Sequence, residues 1–354
     1  MNLDILGWNP YWQAKLNDRV DSDHLIGRIS AEHKQLYRVY TDKGELLARV
    51  SGRLRYNALG RPDYPAVGDW VIISAQLEGS QAVIVEILPR RTKISRQMAG
   101  DKEEEQILAS NVDAILIVMA LNRDFNLRRL ERYLVLAWES GAEPVVVLNK
   151  ADLCIDIHAK IAAVNDVAPG VSVHAISCES GQGLEAIKGY FRTGQTSILL
   201  GSSGVGKSTL LNILMGNQVQ KTQGIREDDD RGRHTTTHRQ MHILPRGGLV
   251  IDSPGLRELQ LWVADAGFTS TFEDIAILAE ECHFADCTHQ GEPDCAVIRA
   301  IEEGVLDEGR FDSYLKLQKE LAYVSRKENM VEALENKQKW KTIAKDIKRF
   351  YKNK

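Results

Sequence analysis

The chain has 354 residues and a formal net charge of −4 at pH 7, and its length predicts two or three domains, of which we expect three. This mild acidity gives no sign of a nucleic-acid partner, and no apolar run approaches the roughly 18 residues of a membrane span. Because the N-terminus lacks a basic start followed by an apolar signal core, we expect a soluble, cytoplasmic protein without membrane contact.

Positive charge is concentrated at the C-terminal end of the sequence. Between Lys337 and Lys354 there are eight Lys or Arg against one Asp. A segment of this kind can bind phosphates although the whole chain is mildly acidic. A solvated helix face explains the same charges equally well.

Five short runs near the N-terminus predict β-strands, because polar, Gly or Pro turns separate them. They are LIGRIS, LYRVYT, LLARVSG, DWVIISA and QAVIVEIL. Five strands of this length favour a small barrel of the oligonucleotide-binding (OB) type, expected within residues 1–98. The basic residues Arg90, Arg91, Lys93 and Arg96 follow it and favour nucleic-acid binding over a barrel that only packs.

Residues 99–262 show a different pattern, in which buried strands alternate with helices after the polar segment GDKEEEQ. The predicted strands are VDAILIVMAL, EPVVVLNKADL, VSVHAIS, TSILLGSS and GGLVIDSPG. This alternation predicts an α/β domain with a doubly wound parallel sheet. Residues 263–354 are predicted to form a helical domain that ends in the basic helix.

The stretch GSSGVGKST fits the phosphate-loop pattern, with a predicted strand before it and a helix after it. Backbone N–H groups would surround the phosphates, Lys207 would neutralise the outer ones, and the Ser208 hydroxyl would bind Mg²⁺. The predicted nucleotide contacts in this loop are Gly201, Ser202, Ser203, Gly204, Val205, Gly206, Lys207, Ser208 and Thr209.

Two further segments can contact the terminal phosphate and its magnesium ion. IDSPG ends a buried strand, so Asp252 can hold Mg²⁺ through water and Gly255 can offer its backbone N–H to the phosphate. RGRHTTTHR supplies hydroxyl groups. We assign Thr236 to the magnesium, with Thr235 as the register alternative.

The sequence lacks the residue that orients the attacking water in many GTPases. Leu256 follows DSPG at the position where those enzymes have Gln. Either turnover is slow until a partner assists, or another side chain orients the water. His234 is the best candidate in the chain, although it could equally pack or stay exposed. The predicted catalytic residues are Lys207, Thr236 and His234.

The segment NKAD selects the base. The Asp152 carboxylate can accept hydrogen bonds from guanine N1–H and the N2 amine together, whereas adenine offers neither donor. ISCESGQGL ends another strand and can close over the base. The other predicted contacts are Asn149, Lys150, Ala151, Ser177 and Cys178.

These segments occur in the order base motif, base-closing loop, phosphate loop, Thr loop and DSPG. This order indicates a circular permutation of the usual GTPase domain, which joined surface termini allow. Because DSPG now leads directly into the C-terminal domain, we hypothesise that the nucleotide state repositions that domain.

The segment CHFADCTHQGEPDC predicts a structural zinc site in the C-terminal domain. Three thiolates and one imidazole, from Cys282, Cys287, His289 and Cys295, make a closed tetrahedral set. His283 competes as the fourth ligand, but it directly follows Cys282 and we prefer His289. The zinc would stabilise a small helical domain with little core of its own.

Together, the barrel, the order of NKAD, GSSGVGKST, GRHTTT and DSPG, and the Cys/His segment resemble the bacterial ribosome small subunit-dependent GTPase A family. The resemblance covers nearly the entire chain. It implies a GTPase stimulated by the small (30S) ribosomal subunit, acting in that subunit's late maturation, with barrel and zinc domain holding ribosomal RNA. It also assigns the zinc ligands above and a catalytic role to His234.

Four hypotheses follow from the residues and the resemblance. The leading hypothesis is a monomeric GTP hydrolase whose cycle times its binding to and release from the small subunit. The alternatives are a GTP-binding rRNA assembly factor with little hydrolysis, or a divergent paralogue with another RNA partner, because the N-terminus is mixed rather than basic. An ATP-using phosphotransferase is disfavoured by NKAD.

Overall fold

The structure is a computed structural model that describes residues 2–16, 23–33, 36–78, 81–97, 105–216, 239–252, 262 and 265–326. The predicted Thr loop, Gly255 and the basic C-terminal segment lie outside these ranges. Within them, no helix has both the length and the apolar character needed to cross a membrane.

Aromatic residues at the N-terminus pack onto the barrel. A short 3-10 turn, Leu3–Leu6, leads into helix α1, Pro10–Leu16. The rings of Trp8 and Trp12 contact the fully buried Trp70, at centroid distances of 4.9 and 6.2 Å. The mixed N-terminal segment therefore belongs to the hydrophobic core of this part of the protein.

The N-terminal strands close into a five-stranded barrel. They are β1 (His24–His33), β2 (Leu36–Thr41) and β3 (Gly44–Val50), then, after helix α2 (Gly52–Asn57), β4 (Trp70–Glu78) and β5 (Gln81–Ile87). Their order is β1-β2-β3-β5-β4, and β4 pairs back onto β1. Alternating residues such as Ile29, Val39 and Ile73 fill the interior, and the predicted OB-type barrel is confirmed.

A two-stranded hairpin follows the barrel. Strand β6, Lys93–Gln97, pairs antiparallel with β7, Glu105–Ser110. The polar segment that we took as the domain boundary therefore runs into a strand, because Glu105 pairs with Gln97. The domain limits themselves stay a prediction.

The next part is a six-stranded sheet with helices between its strands. The strands are β8 (Ala114–Ala120), β9 (Glu143–Asn149), β10 (Ser172–Ala175), β11 (Thr196–Leu200), β12 (Gln240–Ile243) and β13 (Leu249–Asp252). The helices are α3 (Leu127–Ser140), α4 (Ile157–Val167), α5 (Leu184–Ile187) and α6 (Lys207–Met215). In the order β10-β9-β8-β11-β13-β12, only β12 is antiparallel to its neighbour in this part.

Strand β8 shows that helices cover both faces of this sheet. Its seven residues are all buried, as expected for a parallel strand covered on both faces. Ile115 and Ile117 pack in the core that contains α3 and α4, whereas Leu116 and Val118 pack in the core that contains α5 and α6. The predicted doubly wound arrangement is confirmed, with an antiparallel edge strand that the sequence pattern did not indicate.

Backbone pairing joins the barrel to the α/β sheet. Strand β12 pairs with β1 where Ala31 faces Gln240, so eleven strands form one continuous sheet. Beside this junction the buried Arg28 guanidinium donates to the carbonyl oxygens of Gly68 and Asn111, at 3.2 and 2.8 Å. The Gly68 contact lies within the barrel, whereas the Asn111 contact ties the barrel to the segment that leads into β8 of the sheet.

The C-terminal part is helical and packs on α3. It contains α7 (Asp265–Thr271), α8 (Glu273–Glu280), α9 (Ala296–Glu302) and a helix over residues 308–326. The backbone N–H of Gly267 donates to the Glu139 carboxylate at 2.9 Å. A β-carbon at Gly267 would lie 2.1 Å from the Val135 carbonyl oxygen, so α7 and α3 approach closely only because this residue is glycine.

A buried arginine connects α3 to the C-terminal helices. Arg310 is only 4% exposed and donates to the fully buried Glu131 of α3 at 3.0 Å. It also donates to Asp274 at 2.7 and 2.8 Å and to the Thr271 carbonyl oxygen at 2.8 Å. Burial raises the pKa of Glu131, and Arg310 stabilises its charged form together with Arg128, which also donates to it.

Removing the arginine tests this connection. Arg310→Ala should lower the free energy of unfolding by about 3 kcal/mol, because the buried Glu131 would keep only Arg128 as a partner and Asp274 would lose its contacts. Urea denaturation followed by circular dichroism measures the change. Arg299→Ala, on an exposed position of α9, is the control and should change stability by at most about 0.5 kcal/mol; equal losses in both variants would contradict the assignment.

Candidate nucleotide site and metal centre

The predicted phosphate loop connects β11 to α6 at the carboxyl edge of the sheet. Its conformation needs glycine at both ends. At Gly201, with φ +146°, a β-carbon would lie 2.2 Å from the Val118 carbonyl oxygen, and at Gly206, with φ +103°, it would lie 2.2 Å from Nδ2 of Asn149. Val205 is 2% exposed and anchors the loop in the core below.

The Lys207 ammonium lies over this loop. Its Nζ donates to the carbonyl oxygens of Gly201 and Ser202, at 2.7 and 2.5 Å. Ser208 and Thr209 follow in the first turn of α6. The arrangement places a cation and a helix N-terminus together at the loop, the combination that binds phosphate.

One amide side chain ties the base motif to the phosphate loop. Asn149 ends β9 and is 2% exposed. Its Nδ2 donates to the Val205 carbonyl oxygen at 2.7 Å, and its Oδ1 accepts from the backbone N–H of Cys178 at 3.1 Å. The neighbouring Lys150 Nζ donates to the Gly204 carbonyl oxygen at 2.8 Å. These two successive residues therefore hold the base motif, the phosphate loop and the base-closing loop together.

The base-closing loop lies beside the base motif. The backbone N–H of Ala151 donates to the Ile176 carbonyl oxygen at 3.0 Å, and Asp152 follows in an exposed 3-10 turn. The hydroxyl of Ser177, a fully buried residue, accepts from the Ser180 N–H at 3.1 Å and shapes the loop. Burial raises the pKa of the Cys178 thiol to about 11, so it is neutral at pH 7.

Asp252 is the last residue of β13, which runs parallel to β11. Its side chain is half-buried, and its backbone pairs with Gln240 of β12. The nearby His242 has a lowered pKa because of burial, an effect that the Asp252 charge opposes. Thr235, Thr236, His234, Gly255 and Leu256 lie outside the described residues.

A contact that the sequence analysis missed connects α3 to the phosphate loop. Arg129 donates through Nη1 to the Ser202 hydroxyl and to the Asp124 carboxylate, both at 2.7 Å. The Tyr133 hydroxyl lies 3.5 Å from the same serine oxygen. No motif contains Arg129, and 73 residues separate it from Ser202, so no local pattern could have indicated the pair.

The four predicted metal ligands converge in the C-terminal part. The ligand atoms of Cys282, Cys287, His289 and Cys295 all lie within 4.8 Å of one another. Nδ1 of His289 is 3.6 Å from the Cys282 sulfur and 3.4 Å from the Cys295 sulfur, and those two sulfurs are 3.8 Å apart. A tetrahedral zinc ion with bonds of about 2.0–2.3 Å needs ligand spacings of this size.

The loop around these ligands has a defined shape. The Glu292 carboxylate accepts from the backbone N–H groups of Thr288 and Gln290, at 2.8 and 2.7 Å. Its hydrogen bond with the Thr288 side chain is the largest of several contacts that lower the pKa of Glu292 to about 2. His283, the competing ligand, instead stacks edge-on against Phe284 at 4.7 Å and is not among the four converging side chains.

Comparison with known proteins decides the family. The family model described as RsgA GTPase matches residues 87–262. Small ribosomal subunit biogenesis GTPase RsgA 2 of Lactiplantibacillus plantarum is 48% identical over 91% of this chain and 90% of its own length. This chain belongs to the RsgA GTPase family. As an RsgA GTPase it is a hydrolase that acts on GTP.

A further RsgA relative and two solved structures match most or all of the chain. RsgA 1 of Oceanobacillus iheyensis is 46% identical over 99% of both sequences. The crystal structure of YjeQ from Thermotoga maritima superposes with a TM-score of 0.62 at 27% identity, covering 84% of this chain and 99% of that one. YloQ, described as a circularly permuted GTPase, gives 0.59 at 27% identity, covering 85% and 96%. The predicted permutation of this RsgA GTPase is confirmed.

The Asn149 contacts give a prediction for nucleotide binding. Asn149→Ala should weaken GDP binding by about ten-fold or more, because the Val205 carbonyl and the Cys178 N–H would lose their buried partner. Titration with fluorescent GDP measures the affinity. Asn165→Ala, at an exposed position of α4, is the matched control, and equal affinities of the two variants would show that Asn149 does not organise the site.

Proposed function

We propose that this GTPase acts in the late maturation of the small ribosomal subunit, that the subunit stimulates hydrolysis, and that hydrolysis is coupled to release. One observation carries the proposal: relatives named small ribosomal subunit biogenesis GTPases match almost the whole chain, including the barrel and the C-terminal part. Such an enzyme would work in the cytoplasm, on ribosomal RNA and as a monomer.

The nucleotide phosphates would bind the loop from Gly201 to Thr209. Backbone N–H groups and the Lys207 ammonium would neutralise charge that develops on the terminal phosphate. In this position Lys207 would exchange its contacts with the Gly201 and Ser202 carbonyl oxygens for phosphate oxygens. Ser208, Thr236 and Asp252 would hold Mg²⁺, which neutralises phosphate charge, and the Gly255 N–H would contact the terminal phosphate.

The base would lie between the two loops that Asn149 joins. Asp152 stands at the exposed end of the base motif, where its two oxygens can accept from guanine N1–H and N2. The backbone of Ser177 and Cys178 would close the other side. Because Cys178 is neutral at pH 7, no thiolate charge would face the base.

Base selection can be tested at the carboxylate. Asp152→Ala should reduce the preference for GDP over ADP by at least about a hundred-fold, because the two guanine donors lose their acceptor. Competition of GDP and ADP against fluorescent GDP measures the preference in the variant and the wild type. Asp156→Ala, which removes a helix-capping carboxylate nearby, is the control, and an unchanged preference in Asp152→Ala would overturn the assignment.

The attacking water would be oriented by His234 or by a group from the subunit, because Leu256 cannot form the required hydrogen bond. GTP hydrolysis should therefore be slow for the protein alone and rise strongly with small subunits, but not with large subunits. His234→Ala should lower the stimulated rate by about 10²–10⁴-fold while leaving GTP affinity within about two-fold.

A phosphate-release assay with each particle tests both parts of this prediction. Lys207→Ala serves as the inactive control, and His158→Ala, at an exposed position of α4, serves as the histidine control. If no particle accelerates hydrolysis, a GTP-binding assembly factor or a paralogue with another RNA partner is the correct function. If His234→Ala is stimulated normally, the water is oriented by the subunit.

The Cys/His cluster would hold one structural zinc ion. Three thiolates and one imidazole leave no position for a substrate. Cys295→Ser should reduce the zinc content from one per chain to near zero and lower the thermal unfolding temperature of the C-terminal part. Cys154→Ser, outside the cluster, is the control and should retain the metal. Elemental analysis measures the metal content and distinguishes zinc from iron. Zinc retained in Cys295→Ser would contradict the assignment.

A further inference from the structure

Three of the four basic residues after the barrel pair with carboxylates within the protein, and the fourth, Arg96, donates to the neutral Gln106 side chain. Arg90 donates to both carboxylate oxygens of Asp69, at 2.8 and 2.7 Å, and to two backbone carbonyls. Arg91 pairs with Asp113, and Lys93 pairs with Glu105. Their charges are largely neutralised at short range, so this segment is a weaker phosphate-binding surface than its sequence suggests.

The zinc-binding part is also unsuited to phosphates. Residues 273–308 carry a large excess of Asp and Glu over Lys and Arg. Such a surface repels RNA at moderate ionic strength. Residues 273–308 therefore contribute little to phosphate binding by charge, whereas the resemblance implied that the zinc domain holds ribosomal RNA.

Helix α2, on the barrel, has the opposite character. It buries none of its residues, and Arg53, Arg55 and Tyr56 are all exposed. Tyr56 is 90% exposed and Leu59, just after the helix, is 92% exposed. Within the described part of the chain, neither Arg53 nor Arg55 forms an ion pair with an acidic side chain.

The segment is held in place although its outer side chains contact little. The Ser51 hydroxyl caps the helix by accepting from the Leu54 N–H at 3.1 Å, and Leu54 packs against the barrel core. The Asp63 carboxylate accepts from the N–H groups of Leu59 and Gly60, at 2.8 and 3.2 Å. The exposed side chains are therefore presented on a fixed backbone, which reduces the entropy lost on binding.

We propose that Arg53, Arg55, Tyr56 and Leu59, here called the α2 platform, bind unpaired nucleotides of small-subunit RNA. An exposed aromatic ring can stack on any base, and neighbouring arginines can pair with the phosphates on either side. Free positive charge distinguishes this surface from an ordinary apolar protein contact. The inference rests on the proposed function because it names where that RNA is held.

The test measures binding of the full chain to a labelled, unstructured RNA of about twelve nucleotides, to a duplex of the same length, and to small subunits. Tyr56→Ala should weaken binding to the single strand by about ten-fold, whereas Tyr56→Phe should stay within about two-fold of the wild type, because the ring alone stacks. Arg53→Ala/Arg55→Ala should reduce the slope of log affinity against log salt by about 1.4.

Matched controls separate these effects from general ones. Tyr323→Ala removes another exposed tyrosine, and Arg192→Ala/Arg299→Ala removes two exposed arginines elsewhere. Both controls should bind RNA like the wild type, and GTP hydrolysis without particles should be unchanged in all variants.

The outcomes distinguish the platform from the proposed function. Normal RNA and subunit binding by the Tyr56 and arginine variants would overturn the platform even if small subunits stimulate hydrolysis. An acidic polyglutamate peptide is a further probe for the wild type and the variants. If the variants lose binding to this peptide while their RNA binding stays intact, the platform binds a protein partner and the proposal is overturned. Weakened RNA binding in a protein that small subunits do not stimulate would support the platform and refute the proposed function.

Discussion

The nucleotide site depends on the position of one buried amide. Asn149 bonds to the phosphate loop through Nδ2 and to the base-closing loop through Oδ1. All three segments stand at the carboxyl ends of the parallel strands β9, β10 and β11. The contacts of Asn149 therefore depend on which strands are neighbours in the sheet, and not on the order in which the strands follow along the chain. A circular permutation therefore leaves the site intact, because it changes connections and preserves neighbours.

Helix α3 brings the nucleotide site and the C-terminal part onto one rigid element. Arg129 contacts Ser202 of the phosphate loop, and two residues later Glu131 pairs with Arg310. Because the helix is well packed, a change at the phosphate loop can reach the C-terminal helices without unfolding either part. This chain of contacts fits the hypothesis that the nucleotide state positions the C-terminal part.

Much of the fold was predictable because its signals are local. Strand periodicity indicated the five barrel strands, β8 to β11 and β13, and fixed spacing indicated the phosphate loop, the base motif and the four converging metal ligands. The β12–β1 junction, the β6–β7 hairpin and the Trp70 cluster depend on pairings between distant residues, so no local pattern showed them. The basic run after the barrel predicted RNA binding. Sequence alone could not show that Asp69, Asp113 and Glu105 pair with these basic residues.

The central claim is that nucleotide state controls attachment to the small subunit, and affinity in the two states tests it most directly. Co-sedimentation of the full chain with purified small subunits would be titrated in the presence of GDP and of a non-hydrolysable GTP analogue. The account predicts binding at least about ten-fold tighter with the analogue, because only a difference in affinity between states can couple hydrolysis to release. Equal affinities in the two states would contradict it.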